Sequence, residues 1–147
     1  MAVRKPFSLA LYDKHDNPAK EALIRILEAS GHKVGQVAEN FYADVVSVKD
    51  GVVYHNEAEV KRAWTGEWPE SWTEIRIPER KTRLLQKYKN KVNFYVFSND
   101  LSQCWCITGD QLTQESLATA KGRYIVVGEK FFHIPYKEAK LIKCKSQ

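Results

Sequence analysis

The sequence of 147 residues has little of what marks several large protein classes. Three cysteines, Cys104, Cys106 and Cys144, are too few for a disulfide scaffold and lack zinc-ribbon spacing. No run approaches the roughly 20 apolar residues of a membrane span. The opening Met-Ala-Val-Arg-Lys-Pro-Phe has no apolar stretch, so no secretory signal is expected. There is no repeat, low-complexity segment or linker. There is no glycine-rich phosphate loop, no Gly-x-Ser-x-Gly elbow, and no His-x-His or His-Glu-x-x-His zinc pattern. What is present is 44% hydrophobic and 28% charged residues, enough for the core of one domain spanning residues 1–147. A formal charge of +5 and a pI near 9.1 permit a polyanionic partner. Cys104 and Cys106, two apart in an apolar stretch, read as buried thiols on one face of a strand, in a reducing cytoplasm.

The first element is a helix over residues 18–30. Asn17 caps it, Pro18 begins it, and Ala19, Ala22, Leu23, Ile26 and Leu27 keep the helical period up to the Gly31 stop. Phe41 to Val48 and Val52 to Lys61 then form a hairpin around Asp50-Gly51, a strong turn signal because both residues tolerate positive φ. Trp64, Trp68 and Trp72 follow. Pro78 to about Lys89 reads as a second helix, Val92 to Ser98 as a strand buried on both faces, and Cys104 to Thr108 as another strand. Tyr124 to Val127 and Lys130 to Ile134 read as a late hairpin, and Tyr136 to Ile142 as a short basic helix. The expected class is α/β, a mixed central sheet flanked by helices.

The hairpin carries the chemistry. With Asp50-Gly51 as a two-residue loop, Lys49 faces Val52, Val46 faces His55 and Asp44 faces Glu57. Asp44, Glu57, Glu59 and Lys61 then project from one face. A three-residue loop would separate Asp44 from Glu59, and a bulge would bring Glu59 opposite Asp44 with Glu57 peripheral. Converging carboxylates repel, and a divalent cation removes the repulsion; Mg²⁺ prefers oxygen ligands and binds one or two carboxylates beside a substrate phosphate. Lys61 would orient an attacking water or stabilise charge on the phosphoryl group.

These residues resemble the PD-(D/E)XK nuclease superfamily. Ala43-Asp44 followed by Glu59-Val60-Lys61 looks like its D…ExK core, on a hairpin preceded by a helix. Leu27-Glu28-Ala29-Ser30-Gly31, Asn93-Phe94-Tyr95-Val96-Phe97 and Phe131-Phe132-His133-Ile134-Pro135 are similar to segments of small Holliday-junction resolvases and phage-encoded nucleases. The likeness in element order covers about residues 18–108, and Ala43 stands where the family's motif has proline. The resemblance implies a restriction-endonuclease-like core and a Mg²⁺-dependent DNA endonuclease, with Mn²⁺ as a substitute. It makes Asp44 and Glu59, with Glu57 beside them, the metal ligands, and Lys61 the catalytic lysine. Many members add a glutamate from the first helix; Glu21 is the candidate, although it falls almost opposite the apolar stripe. It further implies DNA as partner, a homodimer, because cutting two strands needs two sites, and a cytoplasmic setting in a bacterium or phage-infected host.

The expected DNA surface is the second helix. Arg76, Arg80, Arg83 and Lys87 are spaced four, three and four apart on one stripe, beside a face of Ile77, Leu84, Leu85 and Tyr88. Lys81 falls within the core stripe, where a lysine needs a partner, so it is expected to reach the carboxylates or the scissile phosphate. Lys137, Lys140, Lys143 and Lys145 embrace DNA backbone or solubilise a tail. The tryptophans roof a core or stack on bases. His55, on the active face, is a possible proton shuttle, and His133 an ordinary strand residue. The alternatives are a non-catalytic nucleic-acid-binding domain that keeps the nuclease fold, and a structural protein whose carboxylates guard a sheet edge.

Overall fold

In a computed structural model of the chain, which describes residues 17–35, 45–89, 91–119 and 127–144, Asn17–Ala29 forms helix α1. Ala19, Ala22, Leu23 and Leu27, at helical spacing, are its buried face. Gly31 ends it at φ +89°. The His32 N–H donates to the Leu27 carbonyl at 2.9 Å and the Gly31 N–H to that of Glu28 at 3.1 Å, the paired bonds of a Schellman stop.

Strands β1 (Lys33–Val34), β2 (Val45–Lys49), β3 (Val52–Lys61), β5 (Val92–Ser98), β6 (Gln103–Thr108) and β9 (Lys140–Lys143) form one sheet in the order β1-β2-β3-β5-β6-β9. β3 and β5 run parallel; the other neighbours are antiparallel. The β2–β3 hairpin has the register expected of a two-residue loop, Lys49 opposite Val52 and Val46 opposite His55. Asp50 and Gly51 take φ of 52° and 78°, so both central turn residues are left-handed. β4 (Glu74–Pro78), β8 (Lys130–Pro135) and β7 (Leu117–Thr119) form a second, antiparallel sheet, in the order β4-β8-β7.

The main sheet is covered on both faces. On the back, α1 packs against Val45, Tyr95, Phe97 and Cys104. On the front, Val92, Phe94, Val96, Trp105 and Ile107 meet Ile75 and Ile77 of β4, Phe132 and Ile134 of β8, and Leu84 and Leu85 of helix α2 (Thr82–Lys87). Trp64 is fully buried there, stacked 6.4 Å from Trp105 and edge-on to Trp68 at 5.0 Å; Trp68 meets Trp72 in the same way at 5.1 Å. The tryptophans therefore roof the core. A side chain of this kind contributes about 2–3 kcal/mol by burial. β5, sandwiched between the layers, is the doubly buried strand its apolar run predicts.

Three expectations are corrected. The domain is α/β with a mixed sheet, but the front face carries a second sheet as well as a short helix. The helix expected from Pro78 to Lys89 begins later: Glu79–Lys81 is a 3-10 turn and only Thr82–Lys87 is α-helical. Ile75 and Ile77 alternate inward as a strand does, and Pro78 (ψ 141°) ends that strand rather than opening a helix. The basic helix expected over Tyr136 to Ile142 is a 3-10 turn, Tyr136–Glu138, followed by edge strand β9, which takes the ladder bonds that β6 offers. The first strand of the late hairpin, from Tyr124, lies outside the described residues save for Val127. Asp44 lies outside them also.

Candidate active site

Strand pairing fixes which way each residue of β3 points. Glu57, Glu59 and Lys61 lie opposite Phe94, Val96 and Ser98 of β5. Phe94 and Val96 belong to the front core, so Glu57, Glu59, Lys61 and His55 form one row on the front face. Asn56, Ala58 and Val60 point to the back.

That back row holds the hairpin in register. Asn56 is fully buried; its amide nitrogen donates to the Val45 carbonyl at 3.1 Å and to Ser47 Oγ at 3.0 Å. Ser47 Oγ is also 2.8 Å from His32 Nδ1. A polar chain thus ties β3 to β2 and to the segment after α1. The signal was in the sequence: serine and asparagine stand where the back face otherwise alternates apolar.

In the front row, Lys81 reaches from the 3-10 turn into the carboxylates, as expected of a lysine in an apolar stripe. Its Nζ is 2.9 Å from Glu57 Oε1 and 3.2 Å from Glu59 Oε1. The Lys81 and Glu57 side chains are 14% and 8% exposed, and that of Glu59 35%. Burial alone would make the Lys81 ammonium more acidic, but Glu59 and Glu57 outweigh it and raise its pKa.

Lys61 differs. Its Nζ lies 5.1 Å from the centre of the Trp72 ring, and among the described residues no carboxylate pairs with it. Burial, then the positive charge of Arg76, lowers its pKa. The ammonium is thus half-buried over an aromatic face, which itself attracts a cation. The Trp72 contact was not anticipated; eleven positions separate the two residues, and the bend through Gly66 (φ 68°) and Pro69 returns the chain over β3.

At the other end of the row, the His55 ring stacks on Tyr88 with centroids 3.4 Å apart and planes 12° from parallel. Its Nδ1 is buried without a hydrogen-bond partner among the described residues, and burial, then Lys87, lowers its pKa. His133 instead clasps strands, with Nδ1 2.7 Å from Glu74 Oε2 and Nε2 donating to the Ala118 carbonyl at 3.2 Å.

The remaining candidates are dispersed. Glu21 is exposed on α1, which covers the back face, so the structure does not bring it to Glu57, Glu59 and Lys61. The basic stripe is not one helical face: Arg76 is on β4, Arg80 and Lys81 on the turn, and Arg83 and Lys87 on α2. Arg76, Arg80, Arg83 and Lys87 are exposed, and Arg80 pairs with Glu129 at 3.1 Å. All three thiols are free, and burial is the leading cause raising each one's pKa, which disfavours the thiolate.

Glu57 and Glu59 offer the hard oxygen donors that Mg²⁺ takes, and Glu59 is open enough for a hydrated ion to reach. Among the described residues, no group of three or more His, Cys, Asp or Glu converges as a metal cage. The fit is therefore one of donor type, with Asp44 as the further carboxylate in sequence. No described helix is long and apolar enough to cross a membrane. No protein-family model matches the chain, and no curated protein does.

Proposed function

We propose that this protein is a metal-dependent DNA endonuclease of PD-(D/E)XK type, with a restriction-endonuclease-like core. The observation that carries this reading is the shared face of Glu57, Glu59 and Lys61 on the central strand of a mixed sheet, with their hairpin in the two-residue register. Asp44, Glu59 and Glu57 would hold Mg²⁺, or Mn²⁺ in its place. The ion would make a nucleophile of water at neutral pH and neutralise charge on the phosphoryl group.

The rest falls to side chains of this chain. Lys61 offers an ammonium, unpaired among the described residues, to the attacking water or a phosphoryl oxygen. Its partly dry surroundings make that charge count for more than in bulk water. Trp72 supports the ammonium from behind. Arg76, Arg80, Arg83 and Lys87 ring the same layer with exposed positive charge suited to backbone phosphates. Hydrolysis in line would leave a 3′-hydroxyl and a 5′-phosphate, and a homodimer would supply two sites for a duplex.

A second reading has one observation in its favour. Lys81 already neutralises part of the carboxylate charge, as a metal-free DNA-binding domain would require. Incubation with linear duplex, mismatched, flap and four-way-junction DNA separates the two. The nuclease reading expects cleavage of at least one substrate in Mg²⁺ or Mn²⁺, stopped by a chelator. Binding to the panel without cleavage in either metal selects the second reading.

A further inference from the structure

Lys81 forms ion pairs with both Glu57 and Glu59. Its Nζ lies between the two carboxylates, 2.9 Å from Glu57 Oε1 and 3.2 Å from Glu59 Oε1. The backbone beneath Lys81 is fixed on both sides, because Ile77 before the turn and Leu84 and Leu85 after it are buried in the front core. A lysine's four-carbon stem has rotatable bonds through which the ammonium can swing while its Cα stays in place. Lys61 shares the row but lies over Trp72 and does not bridge the carboxylates.

We propose that Lys81 is a tethered placeholder cation: it occupies the space between Glu57 and Glu59 in the metal-free protein, and a divalent ion binds there only by displacing it. This rests on reading Glu57 and Glu59 as metal ligands. The placeholder prevents the carboxylates from repelling one another before the ion arrives, and it weakens ion binding by competition. Once displaced, the ammonium remains on the same face, within reach of a substrate phosphate.

Calorimetric titration with Mn²⁺ of the wild type, Lys81→Met and Lys61→Met tests this. Lys81→Met should bind Mn²⁺ at least about tenfold more tightly than wild type, equivalent to about 1.4 kcal/mol. Lys61→Met removes an equal charge from the same face without vacating the bridge, and should change affinity by less than about threefold. Equal tightening in both variants would show general charge repulsion and overturn displacement. Unchanged or weaker binding in Lys81→Met would overturn it too. Lysine acetylation footprinting of the wild type gives an answer that needs no folded variant. Lys81 should be protected without Mn²⁺ and labelled at saturating Mn²⁺, with Lys61 unchanged; continued protection of Lys81 refutes displacement. If the wild type cleaves DNA but these tests fail, the proposal falls and the nuclease reading stands. If no protein binds Mn²⁺ and none cleaves, both fall.

Discussion

Replacing Asn56 with aspartate should destabilise the protein in a way that depends steeply on pH. The change is isosteric, so packing is conserved and only the hydrogen-bond chemistry alters. In the wild type the amide nitrogen points at the Val45 carbonyl, 3.1 Å away, and at Ser47 Oγ, 3.0 Å away, with no solvent exposure. In N56D a carboxylate oxygen takes the donor's place and faces the lone pairs of Val45. A fully buried carboxyl titrates about 3 units above its free value. Each unit is about 1.36 kcal/mol, so the loss at neutral pH is about 4 kcal/mol. The sign follows from proton linkage. The folded variant holds its proton between the unfolded pKa, near 4, and the raised folded value, near 7, while the unfolded chain does not. Stability therefore falls as pH rises through that window and levels off above it. Urea melts of N56D and wild type at several values from pH 4 to pH 8 would measure the difference. A loss under about 1 kcal/mol, or one independent of pH, would refute the assignment of Asn56 as donor and pin of the β2–β3 register.

Three further outcomes are expected. Trp64→Ala removes a fully buried side chain from the aromatic cluster and should cost about 3–5 kcal/mol, a drop in Tm of about 10 °C or more in a thermal melt. Glu59→Gln should lower plasmid nicking about a hundredfold, whereas Glu21→Gln, on the opposite face of the sheet, should leave the rate within about twofold; the reverse ranking would restore the first helix to the site. Trp72→Leu should slow nicking, because it removes the ring over the Lys61 ammonium, and should lower Tm less than Trp64→Ala does, because Trp72 is only half-buried; wild-type rates would remove it from the site.

Much of the frame was legible in the sequence because the decisive signals are local. Asp50-Gly51 meets the positive-φ demand of a two-residue turn, and that turn sets the facing of His55, Glu57, Glu59 and Lys61. Gly31 ends α1 for the same kind of reason. Lys81 was found because a lysine inside an apolar stripe must have a partner. The misread elements are those whose form is set at a distance. β9 has four residues, of which only Ile142 is half-buried; its lysines look helical until β6 offers an edge to pair with. β4 carries a proline that resembles a helix start, but Ile75 and Ile77 answer to β8, more than fifty residues downstream. The three residues of β7 are too few for alternation to show. The same holds at the site. Trp72 above Lys61 and Tyr88 against His55 depend on how the front layer folds back over β3, which residue spacing alone does not encode.

The central claim is that the front row of β3 hydrolyses DNA through Lys61. Nicking of supercoiled plasmid in Mg²⁺, compared for the wild type and Lys61→Ala at equal folded concentration, tests it most directly. The account predicts chelator-sensitive nicking by the wild type and a rate at least about a hundredfold lower in the variant, with Tm nearly unchanged because Lys61 makes no ion pair with a described residue. Equal nicking by the two proteins would contradict it.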